Sequence, residues 1–156
     1  MTRLDGEDGM SRIIACLAAS AATLVVSGPA GAESWSRFSA SDRTVYLIDL
    51  DTLTPVEGVT TARMARTPAQ GQPTDLSHET EEVLVRCADS QSRSGATVVY
   101  GPDGSETDRY AEETPWEPSP SGGVYGGIAE LACGEMRPAG AAWPTIQAFI
   151  ASGRGG

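Results

Sequence analysis

A chain of 156 residues, 40% of them hydrophobic, has room for one domain with a modest core. It carries 21 acidic residues against 11 basic ones, every basic one an arginine, for a formal charge of −10. Such a field repels a phosphate backbone and disfavours nucleic acid as a partner; it serves solubility first, and its long-range pull is toward cations.

The N-terminal segment predicts export. Residues 13–26 (IIACLAASAATLVV) form a 14-residue apolar run, preceded by Arg12 and followed by Ser27-Gly28-Pro29 and Ala30-Gly31-Ala32. Small residues at Ala30 and Ala32 suit a signal peptidase, so residues 1–32 are expected to be a leader cut before Glu33, with residues 33–156 a single domain. The run is too short to span a bilayer and no second apolar stretch follows, so no stable membrane span is expected. Residues 1–9 (MTRLDGEDG) are net acidic, where a signal peptide starts positive, and Met10-Ser11-Arg12 is the expected start. A lipid anchor on Cys16 is not expected, because only Ile13-Ile14-Ala15 of the apolar run precede it.

Cys16 then leaves with the leader, and Cys87 and Cys133 remain in an oxidising compartment, where they are expected to pair. The alternatives are two free thiols or a metal pair; the chain has no CxxC spacing and one histidine, His78. A bridge over that separation stabilises the fold by about 4 kcal/mol in the chain-entropy account.

Trp35 lies in a polar lead-in (ESWSRFSASD) that includes a first edge segment. Residues 44–48 (TVYLI) read as a strand, ended by turn chemistry at Asp49-Leu50-Asp51-Thr52, Pro55 and Gly58, and residues 59–65 as the returning strand. Residues 67–80 are loop by composition. In the third strand, 81–87, period-2 alternation puts Val83, Val85 and Cys87 on one face, so Cys87 is expected to point into the core. Residues 96–100 give a fourth strand closed by Gly101-Pro102-Asp103-Gly104, and 107–111 are expected to pair back. Ile128, Leu131 and Ala132 fall at helical spacing, predicting a short helix over 124–133 that carries Cys133 to the sheet. A last helix is predicted from Pro144, at its first position, to about Ala151, with Trp143, Ile146, Phe149 and Ile150 as a stripe docked on the sheet.

No candidate catalytic site emerges. His78 reads as an exposed loop residue, with no GxSxG elbow to partner it. Asp49 and Asp51 share a side at a strand end, which suits a turn better than calcium. The adjacent pairs Glu81-Glu82 and Glu112-Glu113 point to opposite faces in a strand, unlike a catalytic dyad. Gly101 and Gly104 precede no helix, so they form no phosphate loop.

Taken in order, Trp35, Val45-Tyr46-Leu47-Ile48-Asp49, Asp51-Thr52-Leu53, Val59 and Met64, the strand leading to Cys87, Tyr100-Gly101 with Gly104, Trp116 with Pro118, and a helix ending at Cys133 make a series. It resembles the surface-adhesin protein E family of Gram-negative bacteria over about residues 35–134. The resemblance implies an α+β fold: a small antiparallel sheet of about six strands, with a helix tethered by Cys87–Cys133. It also implies adhesion, since the family's best-known member is a surface lipoprotein that binds host extracellular proteins. This chain departs from that member in that no lipid anchor is expected on Cys16 and in its acidic, lysine-free domain, so no ligand-contact residue carries over.

The expectation is therefore a periplasmic, secreted or surface-held binding domain, non-enzymatic, without a cofactor or metal, whose partner is an unknown protein or envelope component. The alternative is an inhibitor of a cationic enzyme such as lysozyme. With Arg3, Arg12, Asp5, Glu7 and Asp8 removed in the leader, nine arginines face 18 acids, a balance that would steer a basic target.

Overall fold

The computed structural model describes residues 33–111 and 114–155, and every structural statement concerns these. The predicted leader, its start at Met10, Cys16 and the pair Glu112-Glu113 lie outside them. Eight strands form one antiparallel sheet: β1 (Trp35–Ala40), β2 (Thr44–Asp49), β3 (Thr60–Pro68), β4 (His78–Arg86), β5 (Gln91–Tyr100), β6 (Glu106–Ala111), β7 (Glu117–Pro118) and β8 (Ala142–Trp143). The order is β6-β5-β4-β3-β2-β1-β8, with β7 pairing β5. From β1 to β6 each strand pairs with the next in sequence, the meander that short turns allow. Two helices, α1 (Gly123–Ala132) and α2 (Ile146–Ala151), complete the fold.

Each face of the sheet has its own core. Ile48, Ala62, Met64, Val83 and Val85 pack with Ile128, Leu131 and Ala132 of α1. On the opposite face Trp35, Val45, Leu47 and Ala65 pack with Ile146, Phe149 and Ile150 of α2. A strand covered on both sides has no reason to alternate, which is why β2 reads as a continuous apolar run. The C-terminal stripe docks as expected, with Trp143 and Phe149 edge to face at 4.9 Å. At six residues α2 is too short to hold itself and depends on that docking.

Several expectations need correction. The sheet has eight strands because two-residue pairings, β7 on β5 and β8 on β1, are too short to leave a pattern in sequence. β8 covers the first residues of β1, so Trp35 is flanked on both sides. β3 runs on to Pro68 and β4 starts at His78, leaving 69–77 as the loop; ladder pairing extends both strands through polar residues. Pro144 is not the first helical residue: Thr145 is the cap, its Oγ1 accepting from the Ala148 amide at 2.9 Å.

The Cys87–Cys133 disulfide forms, with Cα atoms 5.5 Å apart. Cys87, however, is exposed and lies outside the strand. Arg86 pairs with Gln91, so the chain must reverse at once, and Cys87–Asp89 coil into a 3-10 turn that ends at Ser90 with φ 50°. The inward alternation stops one residue before the cysteine. Cys133 is half-buried and caps the C-terminus of α1.

Candidate binding face

Beyond α1, the same face of the sheet is open over β3 to β6. Cross-strand pairing sets the side chains there: Arg66 opposite Glu79, Met64 opposite Glu81, Glu81 opposite Thr97, and Thr97 opposite Tyr110. Three hollows adjoin on this surface, of about 350, 270 and 450 Å³. Arg66 lines the first two, and Ser94 and Thr114 the last two, so they form one trough. Tyr110 (51% exposed) and Tyr125 of α1 (39% exposed) stand along it. The floor is low because small residues occupy it: Ser94, Gly95 and Thr97 of β5.

An ion-pair network braces the trough. Glu81 is buried, and its carboxylate accepts from Arg66 Nη2, from Tyr125 OH at 3.0 and 3.1 Å to its two oxygens, and from Ser94 Oγ at 3.3 Å. Arg66 also donates to Glu79 Oε2 at 3.1 Å and to Tyr125 OH at 2.9 Å. Burial, joined by the Glu81 charge, pushes the Tyr125 pKa up, so the phenol stays a proton donor rather than a nucleophile. Burial works against the Arg66 charge and is the largest single influence on it, but the Glu81 carboxylate, Tyr125 and Glu79 together outweigh it and raise its pKa. The network sets one guanidinium between two carboxylates, a net charge of −1, and its hydrogen bonds shape the surface of the trough. Glu81→Gln is expected to lose about 1–2 kcal/mol in chemical denaturation, because Arg66 keeps Glu79 and some solvent access; an unchanged midpoint would show that Glu81 contributes nothing net.

Sequence reasoning weighed Glu81 only as half of an adjacent pair and missed Arg66, Tyr125 and Ser94, although a signal existed. Glu81 has the same parity as Val83 and Val85, and Arg66 the same as Met64, and a charge at an inward position needs a partner.

Of the residues weighed from sequence, Glu81 lies in this network and His78 lines the first hollow; the others lie elsewhere. His78 is not an exposed loop residue: it opens β4, is 4% exposed, stacks on Tyr100 with ring centroids 4.3 Å apart, and bonds the Leu76 carbonyl through Nδ1 at 2.7 Å. The ladder partner Tyr100, invisible to local composition, draws it in. Burial pushes its pKa down, with Arg63 adding to the effect. A folded value below the ordinary 6.5 means that the unfolded chain binds the proton more tightly. Stability from this group is complete above about pH 6.5 and lost as pH falls toward the folded value. Denaturation midpoints are expected to drop from pH 7 to 5 more steeply in the parent than in His78→Gln; equal slopes would refute the assignment.

Asp49 accepts from the amides of Ser34 at 3.1 Å and Asp51 at 3.2 Å, so it caps the turn as its position suggested. Glu81 and Glu82 point to opposite faces, as period 2 requires. The guanidiniums of Arg86 (3.8 Å) and Arg93 (4.8 Å) both lie over the Trp116 ring, pinning the segment that leads into β7. Among the described residues no His, Cys, Asp and Glu side chains cluster to hold a metal ion, and no helix is long and apolar enough to cross a membrane.

The family model of surface-adhesin protein E matches residues 35–134, a stretch that holds β1 to β7, α1, both cysteines and the trough. No curated protein and no solved structure matches the chain.

Proposed function

Because the chain belongs to the surface-adhesin protein E family, we propose that it is an exported, non-enzymatic binding domain that holds a macromolecular partner in the trough of its α1 face. The observation that carries this reading is the trough itself, continuous over β3 to β6 and flanked by exposed Tyr110 and Tyr125 around a satisfied ion-pair network. Four strands at about 4.8 Å spacing make it roughly 15 Å across, a length that suits a polymer segment better than a small metabolite. Exposed tyrosines offer apolar contact area at low entropic cost, a property of binding surfaces.

The leader, residues 1–32, is proposed to direct export, and the partner to be a protein or envelope component met in the periplasm or outside the cell. Glu33, the first residue after the proposed cut, bonds Trp35 Nε1 at 2.9 Å and Arg63 Nη1 at 2.6 Å, which fits a domain beginning there.

The test is saturable capture from envelope and extracellular extracts by the protein expressed with its own leader. A variant with Thr97→Arg and Tyr110→Ala fills the trough and removes one wall residue while leaving both cores intact. Capture abolished by this variant supports the reading. Capture of the same component by parent and variant alike overturns it.

A further inference from the structure

Helix α1 is a poor helix by composition. Gly123, Gly126 and Gly127 take three of its ten positions, and its cap, Gly122, gives no side-chain bond. Gly122 and Gly123 both have positive φ, 83° and 67°, and a Cβ at either would meet nothing within 4 Å, so the entry to α1 is a glycine turn on which no neighbour packs at these two positions. Gly134, just beyond the other end, has φ 75°.

Tertiary ties must therefore hold the helix. Ile128, Leu131 and Ala132 enter the core of its face, Tyr125 bonds Glu81 and Arg66, and Cys133 is bridged to Cys87. The bridge is the one covalent cross-link among the described residues, and it lies at the surface: Cys87 is exposed and both sulfurs' residues line an open hollow of about 450 Å³ beside Thr60, Leu131 and Arg137. The opposite core, built on Trp35, Leu47 and Phe149, contains neither cysteine and no α1 residue.

We infer that Cys87–Cys133 is a redox lock on α1: its reduction frees the helix about its flanking glycines, withdraws Tyr125 from Glu81 and Arg66, and dismantles one wall of the trough while the rest of the sheet stays folded. The reductant is a dithiol. One of its thiolates attacks the sulfur of Cys87, the exposed residue of the pair, forming a mixed disulfide and expelling Cys133 as a thiolate that takes up a proton. The second thiol attacks its partner sulfur in that mixed disulfide, releasing Cys87 as a thiol and leaving the donor oxidised to a disulfide. Two electrons and two protons pass to the protein, and an oxidised dithiol reverses the reaction. The link to binding rests on the trough being the binding face.

Hydrogen exchange of the intact protein, oxidised and after dithiothreitol, tests the lock, with the double variant Cys87→Ser, Cys133→Ser as a second measurement free of reagent. Amides of 123–132 are expected to exchange at least tenfold faster without the bridge, while those of 44–68 and 146–151 keep their protection; reoxidation restores α1. Protection lost throughout, or unchanged in α1, overturns the inference. Capture is then repeated with the reduced protein. Capture lost together with α1 protection supports the coupling, and capture retained with α1 free overturns it. Failure of the trough reading shows separately, in the Thr97→Arg, Tyr110→Ala variant, which does not touch the bridge.

Discussion

Trp35→Ala is expected to lose about 3–5 kcal/mol of stability, read as a shifted midpoint in chemical denaturation with an unchanged slope. Trp35 is fully buried and is the largest such side chain among the described residues. Its backbone is paired to Asp49 on one side and Trp143 on the other. Its ring packs in the core with Leu47, Phe149 and Ile150, so truncation leaves a void that neither β2 nor α2 can close without losing its own contacts. Its indole N–H binds Glu33, and the Arg63 guanidinium sits 5.2 Å over the ring. These polar ties add little beside the cavity, because Glu33 and Arg63 are both about a third exposed and keep each other. Trp35→Phe, which fills most of the void and loses only the indole N–H bond, should lose about half as much. A loss below about 1 kcal/mol for Trp35→Ala would mean that β1 is not built into the core. Domains of this size have about 5–15 kcal/mol in all, so the variant sits near the edge of folding.

The parts of this fold that depend on side-chain periodicity were legible in sequence. The two-sided burial of β2 shows as unbroken apolarity in Thr44–Asp49, and α1 and α2 show in the spacing of Ile128 with Leu131 and of Ile146 with Phe149 and Ile150. Cysteine parity gave the pairing of Cys87 with Cys133, which the structure bears out, but alternation could not give the direction of Cys87, because a turn intervenes after Arg86. What depends on the partner strand was not legible. His78 looks polar and loop-like until Tyr100 is set opposite it, and Glu81, though its parity marks it as inward, shows no partner until Arg66 and Tyr125 converge on it. The trough belongs to this second class. Its depth comes from the register of β3 to β6, and no motif records a register.

Arg154 makes the same point at the chain's end, and its removal should be the second large effect. By position it is a tail residue beyond the last helix; in the structure it is 6% exposed, with φ 61°, after the reversal at Gly153. Its Nε donates to the Pro68 carbonyl at 2.9 Å, Nη1 to Gly71 at 3.0 Å and Nη2 to Asp75 at 3.3 Å, with longer contacts of 3.5 Å from both Nη atoms to Gln72. No carboxylate pairs with it among the described residues, so carbonyl dipoles of the 69–77 loop offset the buried charge. A guanidinium fork can serve diverging carbonyls at once; an ammonium cannot. Hydrogen bonds to a charged group contribute about 1.5–3 kcal/mol where both sides are desolvated, and the freed carbonyls can recover water because the loop is at the surface. Arg154→Ala is therefore expected to lose about 2–3 kcal/mol and to open residues 69–77 to limited proteolysis, and Arg154→Lys to recover less than half of the loss. Equal protease resistance in parent and alanine variant would show that the loop holds itself. If the loop opens, the ends of β3 and β4 that it joins should fray first, at Pro68 and His78, and both residues line the first hollow of the trough. Loss of the clamp should then weaken partner capture without touching a residue on the binding face.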